Sequence, residues 1–119
     1  MFDVTTTTKP IDRDALPPDA TATTGGLQLL VFSAPWCGPC RAMAPVIDDI
    51  AQTYAGDLVV TRIDIEASPD IARTFEVRGV PTVITRRGDA VIDRHVGSLT
   101  RTRLAMMIDG ALEQGDAAR

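Results

Sequence analysis

Metal-ligating and thiol side chains are scarce in this chain of 119 residues, which has two cysteines and one histidine. That scarcity argues against a zinc site, which normally takes four ligands: there is no second cysteine pair, and His95 stands far from the first in sequence. No metal is expected. Basic side chains are also few, 12 Lys and Arg against 16 Asp and Glu, and the net charge of −4 leaves no basic stripe for nucleic acid or an anionic membrane. No apolar run approaches transmembrane length. The opening Met1-Phe2-Asp3-Val4 and the four threonines after it lack the positive region and apolar core of a secretory leader. These absences point to protein partners, no nucleic acid and no membrane, and the cytoplasm, where thiols can cycle; a monomer is expected.

Both cysteines lie in Trp36-Cys37-Gly38-Pro39-Cys40, directly after the apolar run Leu27-Gln28-Leu29-Leu30-Val31-Phe32. A strand that delivers two thiols to the start of a helix sets the first beside unpaired backbone N–H groups and the positive end of the helix dipole. Both favour the thiolate. Cys37 is therefore the expected nucleophile. Cys40, one helical turn on, is within reach of a disulfide to Cys37 and can resolve a mixed disulfide by attacking it. A purely structural bridge remains open as a reading, but a loop with two intervening residues gains little by closure. Half a zinc site remains open for the same pair and is weaker still.

The surroundings of the pair are more specific. Ala34-Pro35-Trp36-Cys37-Gly38-Pro39-Cys40-Arg41, Ala44-Pro45, Arg78-Gly79-Val80-Pro81-Thr82 and Val96-Gly97 together resemble the thioredoxin family in order and spacing, over about residues 27 to 112. The resemblance implies an α/β thioredoxin fold: a central mixed sheet of four to five strands flanked by helices, here with a reduced or irregular N-terminal strand and helix. It implies a protein-disulfide reductase working by dithiol–disulfide exchange, with Cys37 as nucleophile and Cys40 as resolving thiol, supported by Trp36, Gly38, Pro39 and a cis Pro81. Gly79, Val80, Gly97 and Ser98 would form a substrate-docking surface beside Trp36 and Gly38. No cofactor would be bound; NADPH would act indirectly, through a thioredoxin reductase that recycles the oxidised form, and protein disulfides would be the substrates. The alternative function is a thioredoxin-fold binding subunit that docks through the same face without turnover.

Two positions depart from the family pattern. Val31 stands where a buried aspartate normally lies behind the second cysteine, and Ser33 where a tryptophan is common. Valine cannot accept a proton from the resolving thiol. Arg62 replaces the lysine that usually pairs with that aspartate, which leaves its partner open.

Length allows one domain with one core. Residues 1–26, Thr-rich and carrying Pro10, Pro17 and Pro18, read as an arm with Phe2–Thr7 as an edge-strand candidate. Residues 27–113 read as the domain and 114–119 as a tail. Within the domain the pattern predicts strands at Leu27–Ser33 and Leu58–Ile65, and a hairpin of Val83–Thr85 with Val91–Val96 around Arg87-Gly88-Asp89. Helices are predicted at Pro39–Tyr54, from Pro69 with Ser68 as N-cap, and after Thr100 with Leu104, Met107, Ile108 and Leu112 facing the sheet. Met106 and Met107 read as core filler, Arg86, Arg87, Arg101 and Arg103 as a solvated face, and His95 as exposed and without a chemical role.

Overall fold

A computed structural model of the chain describes residues 26–117, with side chains as far as Glu113. The expected arm, with its candidate strand Phe2–Thr7, lies outside the described residues. The described elements are β1 (Leu27–Ser33), α1 (Gly38–Thr53), β2 (Leu58–Asp64), α2 (Pro69–Thr74), β3 (Thr82–Arg87), β4 (Ala90–Val96) and α3 (Arg101–Ala117). The strands form one four-stranded sheet in the order β2-β1-β3-β4. β1 runs parallel to β2 and antiparallel to β3, and β3 antiparallel to β4. This is the mixed sheet the resemblance implies.

β1 is central because both of its faces are apolar. Leu27, Leu29 and Val31 meet Met43, Ile47 and Ile50 of α1 and Leu104 and Ile108 of α3 on one side. Leu30 and Phe32 meet Ile63, Ile71 and Ile84 on the other. The period-two alternation of a strand divides the run between two layers. Helix α1 presents Met43, Ile47 and Ile50 to the sheet at helical spacing and is assigned as continuous through Pro45. It ends at Tyr54, whose N–H returns to the Ile50 carbonyl at 3.0 Å, ahead of Gly56 at φ +95°.

Several expectations need correction. Ser68 occupies the N-cap of α2, with Pro69 in the first turn, but its side chain makes no capping bond. Asp64 instead accepts from the amides of Glu66 at 2.8 Å and Ala67 at 3.4 Å and shapes the turn. Thr100 does cap α3, accepting from the Arg103 amide at 3.2 Å. That helix continues to Ala117, past the boundary drawn at 113; its apolar stripe stops at Leu112, so hydrophobic spacing could not report the last turn. Met107 packs against the core, whereas Met106 is 67% exposed, because the stripe through Leu104 and Ile108 turns position 106 outward. His95 is half-buried in a groove between β4 and α3, not exposed. Arg86 and Arg87 are likewise half-buried. The Arg86 guanidinium lies 5.5 Å from the centre of the Phe75 ring, and its Nε donates to Gln28 Oε1 at 2.5 Å. Desolvation lowers its pKa, with Asp89 opposing that shift.

Candidate active site

The turn between β1 and α1 carries the cysteine pair at the end of the central strand. Cys37 is the N-cap of α1, in extended backbone conformation, and its Sγ accepts from the Cys40 amide at 3.2 Å. This is the bond a capping side chain makes, with sulfur in place of oxygen. Negative charge on Cys37 would thus meet both a directed N–H and the positive end of a 16-residue helix. Cys37 and Cys40 are joined as a disulfide with Cα atoms 5.3 Å apart. In this oxidised form Cys37 is 4% exposed and Cys40 half-buried.

The other predicted residues divide into two groups. Trp36, next to Cys37 in the chain, is 61% exposed, and Gly38 and Pro39 are exposed on the other side of Cys37 in sequence. A Cβ at position 38 would meet nothing within 4 Å, so the space beside that residue is open. Across from them the Val80–Pro81 bond is cis, and Pro81 is buried. Gly79 and Val80 are half-buried, Gly97 half-buried and Ser98 exposed. Two bonds hold this second group in place: the Gly97 amide donates to the Pro81 carbonyl at 2.8 Å, and the Thr82 hydroxyl to the Gly79 carbonyl at 2.6 Å. Gly97 adopts φ +107°, a conformation few other residues take. Pro81 and Cys40 line one cavity, which places the cis-proline turn against the cysteine pair.

Sequence reasoning gave no role to three contributors and left a fourth without its partner. Val96 is 60% exposed at the end of β4, and an added Cβ on Gly79 would lie 3.7 Å from it, so it extends the apolar rim. Its place as the last residue of an alternating strand was the available signal. Glu66 accepts from the Trp36 indole N–H and orients the ring. Thr82 has just been described. Arg62 has its partner in Asp48 of α1, to which it is both bonded and ion-paired. Residues 14 or more apart in sequence meet in these pairs, and no local pattern announces them.

A cavity of about 60 Å³ lies behind Cys40, bounded by Val31, Ser33, Arg62, Pro81 and apolar side chains of α1. No group of three or more His, Cys, Asp or Glu side chains suited to a metal occurs among the described residues. Nor is any helix among them long and apolar enough to cross a membrane.

A four-stranded mixed sheet with a disulfide at a helix N-terminus, opposite a cis-proline turn, defines a thiol–disulfide oxidoreductase. Comparison with known proteins agrees. The family model for thioredoxin matches residues 20–110. Thioredoxin 1 of Nostoc is 38% identical over 81 residues, covering 68% of this chain and 76% of that protein. The chloroplastic M-type thioredoxin of maize is 40% identical over 81 residues, which are 48% of its own length and 68% of this chain. Among solved structures, the germline-specific thioredoxin Deadhead of Drosophila superposes with a TM-score of 0.70 at 28% identity, over 75% of this chain and 84% of that one. The chain belongs to the thioredoxin family.

Proposed function

We propose that the chain reduces protein disulfides with Cys37 as the attacking thiolate and Cys40 as the resolving thiol. The observation that carries this division of roles is the Cys40 amide aimed at Cys37 Sγ from the helix N-terminus. Exposure in the oxidised form does not carry it, since Cys40 is then the more open of the two. Cys37 attacks a substrate disulfide, forming a mixed disulfide and releasing one substrate thiolate. Cys40 then attacks the Cys37 sulfur, so that the internal disulfide forms and the second substrate thiolate leaves. Two electrons pass from the dithiol to the substrate.

Substrates dock across Trp36, Val80 and Val96, whose apolar surfaces surround the pair, with Gly79, Gly97 and Ser98 leaving room for an extended segment. No resident cofactor takes part. Reducing equivalents come from NADPH through a thioredoxin reductase, and the chain works as a monomer in a reducing compartment; the cytoplasm is the assignment the composition favours.

Trapping tests the roles. Cys37→Ser is expected to abolish insulin reduction with dithiothreitol, whereas Cys40→Ser should accumulate targets joined to Cys37. Mass spectrometry that finds targets joined to Cys40 in the Cys37→Ser protein, and none joined to Cys37 in the Cys40→Ser protein, would reverse the assignment. Loss of activity in Cys37→Ser also separates turnover from binding alone.

A further inference from the structure

The turn that leads from α2 to the docking face is built on a residue in a conformation that side chains rarely adopt. Helix α2 ends at Phe75, and Glu76 follows at φ +56°, the one non-glycine residue with positive φ among the described residues. The Glu76 amide returns to the Arg73 carbonyl at 3.0 Å and the Val77 amide to the Ala72 carbonyl at 2.9 Å. This pair of bonds is the helix ending in which glycine usually takes the left-handed position. A residue with a Cβ is disfavoured there, so a further contact has to hold it. Arg94 of β4 supplies one: its Nη1 donates to the Phe75 carbonyl at 2.9 Å and its Nη2 to the Glu76 carbonyl at 3.2 Å. Arg94 is the register partner of Ile84 on β3, which belongs to the core cluster that Phe75, Val77 and Val80 pack against. The guanidinium thus ties the last strand of the sheet to the residue from which the chain runs through Val77 to Val80.

We propose that Arg94 is a positioning residue for substrate docking: its two bonds hold Glu76 in the left-handed conformation, which fixes the path of residues 77–80 and so the place of Val80 on the rim beside the cysteine pair. The proposal rests on the docking role given to Val80 above. A planar guanidinium suits the task, because its parallel donors reach two carbonyls at once, whereas an ammonium is a single point of donation. The far end of the turn is fixed separately, by the Gly97 amide on the Pro81 carbonyl and the Thr82 hydroxyl on the Gly79 carbonyl. Loss of Arg94 therefore loosens the approach to Val80 and leaves Pro81 in place against the cysteines. The defect falls on the binding of protein disulfides and spares the exchange step, in which Arg94 takes no part.

Arg94→Met keeps the unbranched stem and removes both donors. With insulin as substrate and dithiothreitol as reductant it should raise KM about fivefold, the equivalent of one ordinary hydrogen bond, and leave kcat within about twofold. Single-turnover oxidation of the reduced protein by a small disulfide reagent should not change. In the Arg94→Met background Glu76→Gly should bring KM back, because glycine takes a positive φ without support. Glu76→Gln removes the same charge and should not. A merely structural tie predicts a lower melting temperature with KM unchanged wherever the variant is folded, and an electrostatic role toward substrate predicts that Glu76→Gln rescues as well as Glu76→Gly. Either result overturns the proposal, as does an equal loss on insulin and the small reagent. If Arg94→Met does not fold, Arg94→Lys takes its place, with a smaller rise in KM and the same two changes at Glu76 deciding. Val80→Asp measured in parallel keeps the two readings apart. Where it discriminates between insulin and the small reagent and Arg94→Met does not, the role of Arg94 fails and the docking face stands; where Val80→Asp does not discriminate, both fall.

Discussion

At position 31 one side chain sets stability against proton transfer. Val31 is buried beside Met43 and Ile47 on the face of the sheet that α1 covers. A carboxylate there would lose its hydration, and Arg62, already engaged by Asp48 and partly exposed, would offset only part of that loss. Val31→Asp should therefore lower stability by on the order of one to several kcal/mol, read as a reduced denaturant midpoint with an unchanged slope. An equal or higher midpoint would mean that water already fills the space behind Cys40 well enough to hydrate a charge. Cys37 illustrates the opposite case, a polar side chain placed where the backbone offers it a partner. Its position after an apolar strand was enough to place it at the start of a helix from sequence. The partners of Arg62 and Trp36 were not legible, because they come from other elements.

Between elements, α1 and α3 are tied along one side. The Tyr54 hydroxyl donates to Asp109 at 2.7 Å, and Arg101 bonds Asp49 and, at 3.1 Å, Thr53. Burial raises the pKa of Tyr54, helped by the hydrogen bond and charge of Asp109 and opposed by Arg101. The sign follows: a hydroxyl whose pKa is higher folded than unfolded contributes stability below its ordinary value of about 10 and loses it as pH rises through the folded value. Tyr54→Phe should cost about 0.5–1 kcal/mol at neutral pH, and the difference from the native chain should vanish in strongly alkaline solution. Melting curves at the two pH values check it; a gap that persists at high pH would place the contribution in packing. Element types and order were readable from apolar period and Pro, Ser and Thr positions. Ends were less so: the tail of α3 past Leu112 carries no large apolar residue to mark it, and the α2 turn is shaped by Asp64 from the preceding strand.

On the whole molecule, the apolar rim around the disulfide is assembled from three separate stretches, at Trp36, at Val80, and at Val96 with the Gly97 turn. Val80 sits partly on the second core cluster and partly in the open. An aspartate there would be desolvated against an apolar substrate surface with no paired cation. Val80→Asp should reduce turnover of protein disulfides by about tenfold or more while changing reduction of a small disulfide reagent little. Parallel steady-state assays decide, and equal losses on both would remove Val80 from the docking face.

The cysteine pair, the strand that delivers it and the α/β order are legible in the sequence alone, since each is written in local spacing or a contiguous motif, while the proline opposite the pair was what the thioredoxin resemblance implied. Which side chains close around that pair depends on packing between elements: Asp48 on Arg62, Glu66 on Trp36, Val96 on the rim, and the cavity behind Cys40. The same packing decides which arginines and methionines are covered, with Arg86 over Phe75 and Met106 in solvent. The physical reason is range. Helix and strand periods act over a few residues, whereas burial and ion pairing depend on which elements the sheet order β2-β1-β3-β4 sets side by side.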